Sequence, residues 1–335
     1  TQNFTTATDS YNVAVGYAAG ISVTTGTLNT LIGGLAGDAL TDADRNVAVG
    51  YGALSSDTLG WRSVAIGQAA LGSQNFTTAT STYNVAVGHG AGENVTTGVQ
   101  NTFIGGLAGD ALNDADFNVA LGYAALSTDT LGSRSVAIGV NALGTQNFTT
   151  ATNSYNTAVG MSAGAAVTTG TQHTLVGAEA GKSITTSENN TCIGYLAGTS
   201  ITTGSSNVFL GSAAGDGTDD GGSNIAIGVS ALSANCGDSN TAVGGASMID
   251  CTGTNNTAIG FFAGGRMTSG DNNSFLGHDA GREGSPGGSI TTGSNIIVLA
   301  DENIGAAHIQ VDWTVASDQR DKTDFTALDL GLDFV

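Results

Sequence analysis

A short unit of the form Asn-x-Ala-Val-Gly recurs along almost the whole chain, with about 17 residues between most successive copies. The string QNFTTAT repeats at a longer and constant interval, beginning at Gln2, Gln74 and Gln146. The unit's glycine occurs sixteen times, with two slightly shorter steps and two longer ones, at Gly16, Gly33, Gly50, Gly67, Gly88, Gly105, Gly122, Gly139, Gly160, Gly177, Gly194, Gly211, Gly228, Gly244, Gly260 and Gly277. Internal repetition at such a period is typical of solenoids.

Each position of the unit has a physical interpretation. The residue before the glycine is Val, Ile or Leu in every copy, which predicts a side chain in a narrow core. Four residues before the glycine stands Asn in thirteen copies, and Ser63, Ser135 or His173 in the others; such groups can bond neighbouring backbone at a turn. Ala follows three residues after the glycine in fifteen copies, as expected at a crowded corner.

One short strand, one corner and one return per unit predict an all-β fold, a parallel β-solenoid (β-roll) of about 17-residue coils. Counting Asn295 to Leu299 as a variant last strand, we expect seventeen strands. Composition agrees, since 52 glycines and 6% aromatic residues do not suit a conventional core. The 40% share of hydrophobic residues and their regular spacing argue against disorder.

The strand is apolar on both faces. In Asn-x-Ala-Val-Gly the second and fourth positions share one face and the third points the opposite way, yet the third position is also apolar, as in Leu31, Phe103 and Cys192. A strand that is apolar on both faces needs cover on both. One face can be the solenoid interior, and the other predicts an interface with parallel copies of the same chain.

Charge excludes several partners. The 28 acidic residues against 8 basic ones give a net charge of −20, so nucleic acid and anionic membranes are not expected partners. No apolar run approaches the roughly 20 residues that span a bilayer. The three cysteines, Cys192, Cys236 and Cys251, fall within the repeat, and we expect them to be reduced.

The NVAVG, SVAIG and NTAIG units resemble the head repeat of trimeric autotransporter adhesins. The longer coils with Thr-Thr-Gly turns, such as 24–26 and 202–204, are even more similar to the repeat arrays of phage tail fibres that precede a C-terminal intramolecular chaperone. The resemblance covers about residues 12 to 299. It implies a homotrimer of left-handed parallel β-rolls.

The segment WTVASDQRDKTDFTALDLGLDFV, residues 313–335, resembles the start of the chaperone domain of such fibres and of endosialidases. In that family a serine and a lysine form a self-cleaving dyad, and the resemblance implies Ser317 as nucleophile and Lys322 as general base. A serine hydroxyl needs a neighbouring base to accept its proton, and a lysine serves only if burial lowers its pKa. The family's other motif residues match Asp318, Arg320, Leu328, Leu330, Gly331 and Phe334.

The expected organisation is a shaft over 1–299, a connector over 300–316, and a truncated start of the chaperone over 317–335. The expected function is that of a structural tail fibre protein of a bacteriophage, located in the virion tail and extracellular after release from the host. Partners would be two further copies, other tail proteins and a host receptor such as a glycan. The alternative is a bacterial trimeric surface adhesin or filament subunit. Apart from self-cleavage, no enzyme activity and no cofactor are expected.

The two longer units carry insertions that should project as loops. Phe76, Tyr83, Phe148 and Tyr155 are the candidate receptor-binding residues, because aromatic rings on a protruding loop can stack on sugars. The alternative is that each phenylalanine packs back onto the shaft.

The sequence predicts no metal site. The four histidines, His89, His173, His278 and His308, are not spaced as ligands. Three acidic runs would suit calcium in oxygen-rich loops, but they match no calcium motif and are expected to be solvated turns: Asp38, Asp42 and Asp44; Asp110, Asp114 and Asp116; Asp216, Asp219 and Asp220.

Overall fold

The computed structural model describes residues 7–306, and within that range the fold is all β with no helix. Most coils contribute one three-residue strand each to a single parallel sheet of seventeen strands. The predicted parallel β-solenoid is therefore confirmed. The chain divides into two compact units, Thr1–Glu302 and Asn303–Val335, and the solenoid occupies the first.

The described chain contains 21 strands, of which four form two small extra sheets at the insertions. In chain order they are β1 Val13–Val15, β2 Thr30–Ile32, β3 Val47–Val49, β4 Gly60–Trp61, β5 Val64–Ile66, β6 Thr80–Ser81, β7 Val85–Val87, β8 Thr102–Ile104, β9 Val119–Leu121, β10 Gly132–Ser133, β11 Val136–Ile138, β12 Thr152–Asn153, β13 Thr157–Val159, β14 Thr174–Val176, β15 Thr191–Ile193, β16 Val208–Leu210, β17 Ile225–Ile227, β18 Thr241–Val243, β19 Thr257–Ile259, β20 Ser274–Leu276 and β21 Ile297–Leu299. β4 pairs with β6 and β10 with β12, in both cases in parallel.

The core lies on the opposite face from the one predicted. The middle residue of each strand of the main sheet from β2 onwards is buried, whereas the residue before the glycine, predicted to be internal, faces outward; Ile104 is 39% exposed and Leu276 53%. The prediction of two apolar faces was correct, but the faces were exchanged. The reason is steric, because most interior strand positions hold only alanine, whereas every position before the glycine holds the larger Val, Ile or Leu.

Large and small residues alternate so that the narrow interior is filled. Where the middle strand residue is large, glycine stands six residues later, and a Cβ on Gly215 would clash with the Phe209 ring. Where it is alanine, a buried leucine often stands six residues later, as in Ala226 and Leu232. Other alanine coils have glycine there and leave room for the next coil, since a Cβ on Gly92 would meet the ring of Phe103 at 2.7 Å.

A ladder of buried asparagines runs along the solenoid beside the main sheet. In all thirteen asparagine coils the side-chain Oδ1 accepts the backbone N–H at the same position in the next coil, over 2.8–3.0 Å. Nδ2 usually donates to a carbonyl of the turn about one coil further on, as from Asn101 to Ala115. The asparagines therefore join successive coils, which goes beyond the local turn bonding predicted from the sequence.

The repeated glycine after the strand is required by two constraints. Its φ lies between +115° and +144° in all sixteen copies, a region that L side chains rarely adopt. In addition, a Cβ on Gly194 would clash with the carbonyl oxygen of Gly211 in the next coil. The glycines therefore stack directly, and no other residue fits this column.

The last coil departs from the prediction by one residue. β21 pairs with β20 so that Leu299 lies beside Leu276, which places Ile296 at the asparagine position rather than Asn295. The N–H of Ile296 still bonds to Oδ1 of Asn273. Because isoleucine has no side-chain amide, the ladder ends at this coil.

The pairing of large and small core residues can be tested by a double-mutant cycle. Phe209→Ala should destabilise the protein by about 3–5 kcal/mol through a cavity, and Gly215→Leu should destabilise it through the clash with Phe209. Other coils combine alanine with leucine at these two positions. The loss of stability of the double variant should therefore be smaller, by about 2 kcal/mol or more, than the sum of the losses of the two single variants. Chemical denaturation measures all three. The control cycle combines Phe209→Ala with Gly109→Leu, because Gly109 faces Phe103 in a distant coil. Equal coupling energies in the two cycles would contradict the pairing.

His173 replaces one asparagine of the ladder and weakens it. Its Nδ1 accepts the N–H of Asn190 over 3.3 Å, while Nε2 is buried without a hydrogen-bond partner in the described chain. Burial lowers the pKa of this imidazole from 6.5 to about 4. The unfolded chain therefore binds a proton at a pH at which the folded chain does not, and stability falls as the pH drops from 6.5 towards 4.

His173→Asn should remove this pH dependence and restore the ladder. The fall in pKa corresponds to about 3 kcal/mol of stability that is fully present above pH 6.5 and lost towards pH 4. The free energy of unfolding of wild type and variant, measured from about pH 7.5 to 4.5, should therefore diverge by about 2–3 kcal/mol as the pH falls, with the variant more stable. Parallel curves would show that His173 does not titrate on unfolding.

Candidate functional site

The outer face of the main sheet is a continuous surface of uncharged and mostly apolar side chains. We call it the outer stripe and define it as the first and third residues of the seventeen strands of the main sheet. Every third residue is Val, Ile or Leu, every first residue is Val, Ile, Thr or Ser, and none is charged. Many of these side chains are exposed, among them Ile32, Leu121, Leu210 and Ile259. Such a surface can hold a complementary apolar partner.

Exposed aromatic residues stand two positions after several of these strands. Tyr51 and Tyr123 each lie against a glycine of the preceding coil, since a Cβ on Gly34 would be 3.3 Å from the Tyr51 ring and one on Gly106 would be 3.6 Å from the Tyr123 ring. Tyr195 is also exposed. Tyrosine at such a border suits protein interfaces, because it combines a large apolar ring with a hydroxyl.

The two insertions fold onto the solenoid as extra short strands. Phe76 and Phe148 are 7% and 5% exposed, so their rings pack back onto the shaft and are not available to a ligand, which corrects their assignment as receptor-binding residues. Tyr83 and Tyr155 are 51% and 53% exposed. Of the four predicted receptor-binding residues, only these two tyrosines present a ring to solvent.

Each insertion is held by a buried polar network. Gln74 donates from Nε2 to Oδ2 of Asp57 over 2.5 Å and to Oγ of Ser63 over 2.8 Å, and its Oε1 accepts Nδ2 of Asn84. Desolvation raises the pKa of Asp57, opposed by the N–H of Phe76 and by Gln74. This network carries the asparagine ladder across the insertion, and it explains the glutamine that opens QNFTTAT.

The exposed tyrosine of the first insertion lies beside one of the few arginines. The guanidinium of Arg62 is 5.5 Å from the centroid of the Tyr83 ring and 6.0 Å from that of Trp61. In the second insertion Arg134 donates to Asn153 and stacks 4.7 Å from the Phe117 ring. Both insertions therefore place an arginine and an exposed tyrosine in neighbouring coils.

The predicted cleavage dyad is not part of the described chain. Ser317 and Lys322 lie outside residues 7–306, so their roles stay predictions. The three cysteines are free and buried, as expected. Burial raises the pKa of Cys192 to about 12 and that of Cys251 to about 11, so neither thiol is suited to nucleophilic chemistry.

The acidic runs largely serve the neighbouring coil. Asp42 and Asp114 accept the hydroxyls of threonines in the preceding turn over 2.6 Å. Asp44 and Asp116 each accept a backbone N–H of the preceding coil over 2.7 Å. These carboxylates satisfy donors between coils, a role that the sequence did not predict, while Asp42 and Asp114 remain exposed to solvent as expected.

A group of possible metal ligands that sequence reasoning missed lies at the last two coils. His278, Asp279 and Asp301 bring one ligand atom each within 4.8 Å of one another. The parallel register aligns them, since His278 follows β20 by two residues and Asp301 follows β21 by two. The final coil is longer than its neighbours, which hid this alignment, and comparing strand-relative positions would have found it.

Comparison with known proteins leaves the chain without an assigned family: it matches no family model and no curated protein. Among the described residues there is no helix that could cross a membrane.

Proposed function

We propose that this chain is the shaft of a bacteriophage tail fibre, a homotrimeric structural protein that attaches the virion to its host. The observation that carries the proposal is the outer stripe, which continues over seventeen strands without a charged residue in a chain of net charge −20. Exposed apolar surface of this extent marks an interaction site in a soluble protein.

The dimensions of the stripe suit a partner of the same length. Seventeen strands at about 4.8 Å make it roughly 80 Å long, and a three-residue strand makes it about 10 Å wide. This area of about 800 Å² equals one partner's share of a standard stable interface. A second copy in parallel register matches it coil for coil, and three copies around an axis cover every stripe at once, as the resemblance to trimeric fibres implies.

The shaft would act by rigid display. Each coil is joined to the next by the main sheet, the asparagine ladder and the stacked glycines, so a receptor-binding loop would be held at a fixed height on the fibre. Tyr83, which has Arg62 beside it, and Tyr155, four coils further on, are the exposed residues of the insertions that could stack on a host glycan. A trimer would present three copies of each.

Assembly would be completed by the C-terminal chaperone. In this proposal the Ser317 hydroxyl oxygen attacks the peptide carbonyl and the C–N bond breaks, while Lys322 accepts the hydroxyl proton and passes it to the leaving amine. Water then hydrolyses the resulting ester, which frees the chain end and the serine. The lysine must be neutral to act, so burial upon trimer folding would switch cleavage on. Cleavage would therefore follow correct assembly.

The second candidate is a bacterial trimeric adhesin or filament subunit of the same fold. The outer stripe supports it equally, since both kinds of protein need the trimer. A secretion signal and a membrane anchor encoded in the complete gene would favour the adhesin. A virion-attachment module and a complete chaperone would favour the tail fibre.

Trimerisation through the outer stripe is tested by charge. The wild-type chain should have the native mass of a trimer, and Ile104→Lys with Leu210→Lys should yield monomers, because burying unpaired lysines in the interface is costly. Thr78→Lys with Thr150→Lys, on exposed insertion loops, is the matched control and should remain trimeric. Circular dichroism checks that β structure is retained. A monomeric wild type, or a trimer that tolerates the stripe lysines, would contradict the proposal.

Self-cleavage is tested on the product of the complete gene. Intact mass should show a wild-type chain that ends near Ser317, and full-length chains for Ser317→Ala and Lys322→Ala. Ser294→Ala, a serine of the shaft, is the control and should be cleaved normally. A wild-type chain that stays full-length would contradict the proposed dyad but would not bear on the proposed trimer.

A further inference from the structure

The last two coils of the shaft carry a cluster of three side chains that are typical metal ligands. We call His278, Asp279 and Asp301 the terminal cluster. His278 and Asp279 follow β20, and Asp301 occupies the rung directly beside His278 because β20 and β21 pair in register. All three belong to the solenoid unit.

The geometry of the cluster fits a small divalent ion. Nδ1 of His278 lies 3.4 Å from Oδ2 of Asp279 and 3.5 Å from Oδ2 of Asp301, and the three ligand atoms lie within 4.8 Å of one another. Ligands at about 2.0–2.1 Å from a tetrahedral zinc ion are separated by roughly 3.3–3.4 Å. Two of the three separations therefore match this requirement closely.

Neighbouring side chains orient the ligands. The Phe261 ring, one coil earlier, stacks on the imidazole with centroids 5.6 Å apart and planes at 20°. Arg282 donates from Nη1 to Oδ1 of Asp279 over 2.7 Å, which leaves Oδ2 of the same carboxylate directed at His278. Such outer contacts are what hold metal ligands in place.

We propose that the terminal cluster binds one divalent transition-metal ion, with zinc as the probe ion, and that this ion fastens β21 to β20. An imidazole with two carboxylates favours zinc over calcium, which is bound almost entirely by oxygen. The two carboxylates carry two negative charges, one of which Arg282 already pairs with, and a divalent ion is attracted to the charge that remains. Solvent supplies the remaining ligand.

The position of the cluster gives the ion a structural purpose. The asparagine ladder ends at Ile296, and β21 is the last strand of residues 7–306, within which it pairs with β20 alone. End strands of a solenoid need to be capped. A metal ion that joins Asp301 to His278 supplies a link between these coils that the missing amide cannot.

Zinc titration of the metal-free full chain by calorimetry tests the proposal. Wild type should bind one zinc per chain at this site, and His278→Ala and Asp301→Asn should each weaken that binding by roughly 100-fold. His89→Ala is the matched control, since His89 also follows the repeated glycine but has Gly90 and Gly106 in place of the two aspartates; it should bind as wild type does. Calcium should not compete.

Hydrogen exchange supplies an independent readout. Zinc should slow amide exchange in residues 296–301 of wild type and of His89→Ala, but not of His278→Ala. Circular dichroism verifies the fold, and His278→Gln replaces the alanine variant if that variant is unfolded. If wild type does not bind zinc, or if His278→Ala binds it equally, the proposal is wrong.

Discussion

The asparagine ladder is the interaction on which this structure depends most. A short coil with a three-residue strand has few backbone bonds of its own, and most of its polar groups must be satisfied by the coil above or below. Each ladder amide accepts a backbone N–H of the next coil, and all but that of Asn224 also donate to a turn carbonyl further along. A net contribution of about 1 kcal/mol per hydrogen bond, repeated along the shaft, is substantial beside a typical stability of about 5–15 kcal/mol. Ser63 and Ser135 occupy the asparagine position of the two coils at which an insertion interrupts the regular spacing. Because serine has no side-chain amide, a glutamine partner is needed there.

Much of the fold could be predicted because the repeat fixes the period, the corner and the number of strands in the main sheet, though not the four short strands at the insertions. The sequence could not reveal which strand face is internal, since both faces are apolar and period-two alternation is the same in either orientation. The buried alanines and their size-matched partners, such as Phe209 with Gly215, decide this in three dimensions. The wrong assignment did not affect the inference of a covered outer face, because that inference needed only that both faces be apolar.

The candidate sites were less predictable, because they depend on contacts between coils. Phe76 is a reasonable surface candidate from the sequence, yet its loop folds back and its N–H bonds to the buried Asp57. The spacing of the histidines along the chain gives no sign of a site at His278, but parallel register brings Asp301 beside it from the following coil. In a solenoid, the separation that matters is the position within the coil and not the distance along the chain.

The solenoid is hydrogen-bonded from coil to coil and mostly apolar along one outer face, and the central proposal is that copies of the same chain cover that face. A cryo-electron microscopy reconstruction of the purified full-length protein tests it most directly. We expect three parallel solenoids with Leu121 and Leu210 buried between chains. A solitary solenoid whose outer stripe faces solvent would contradict the claim.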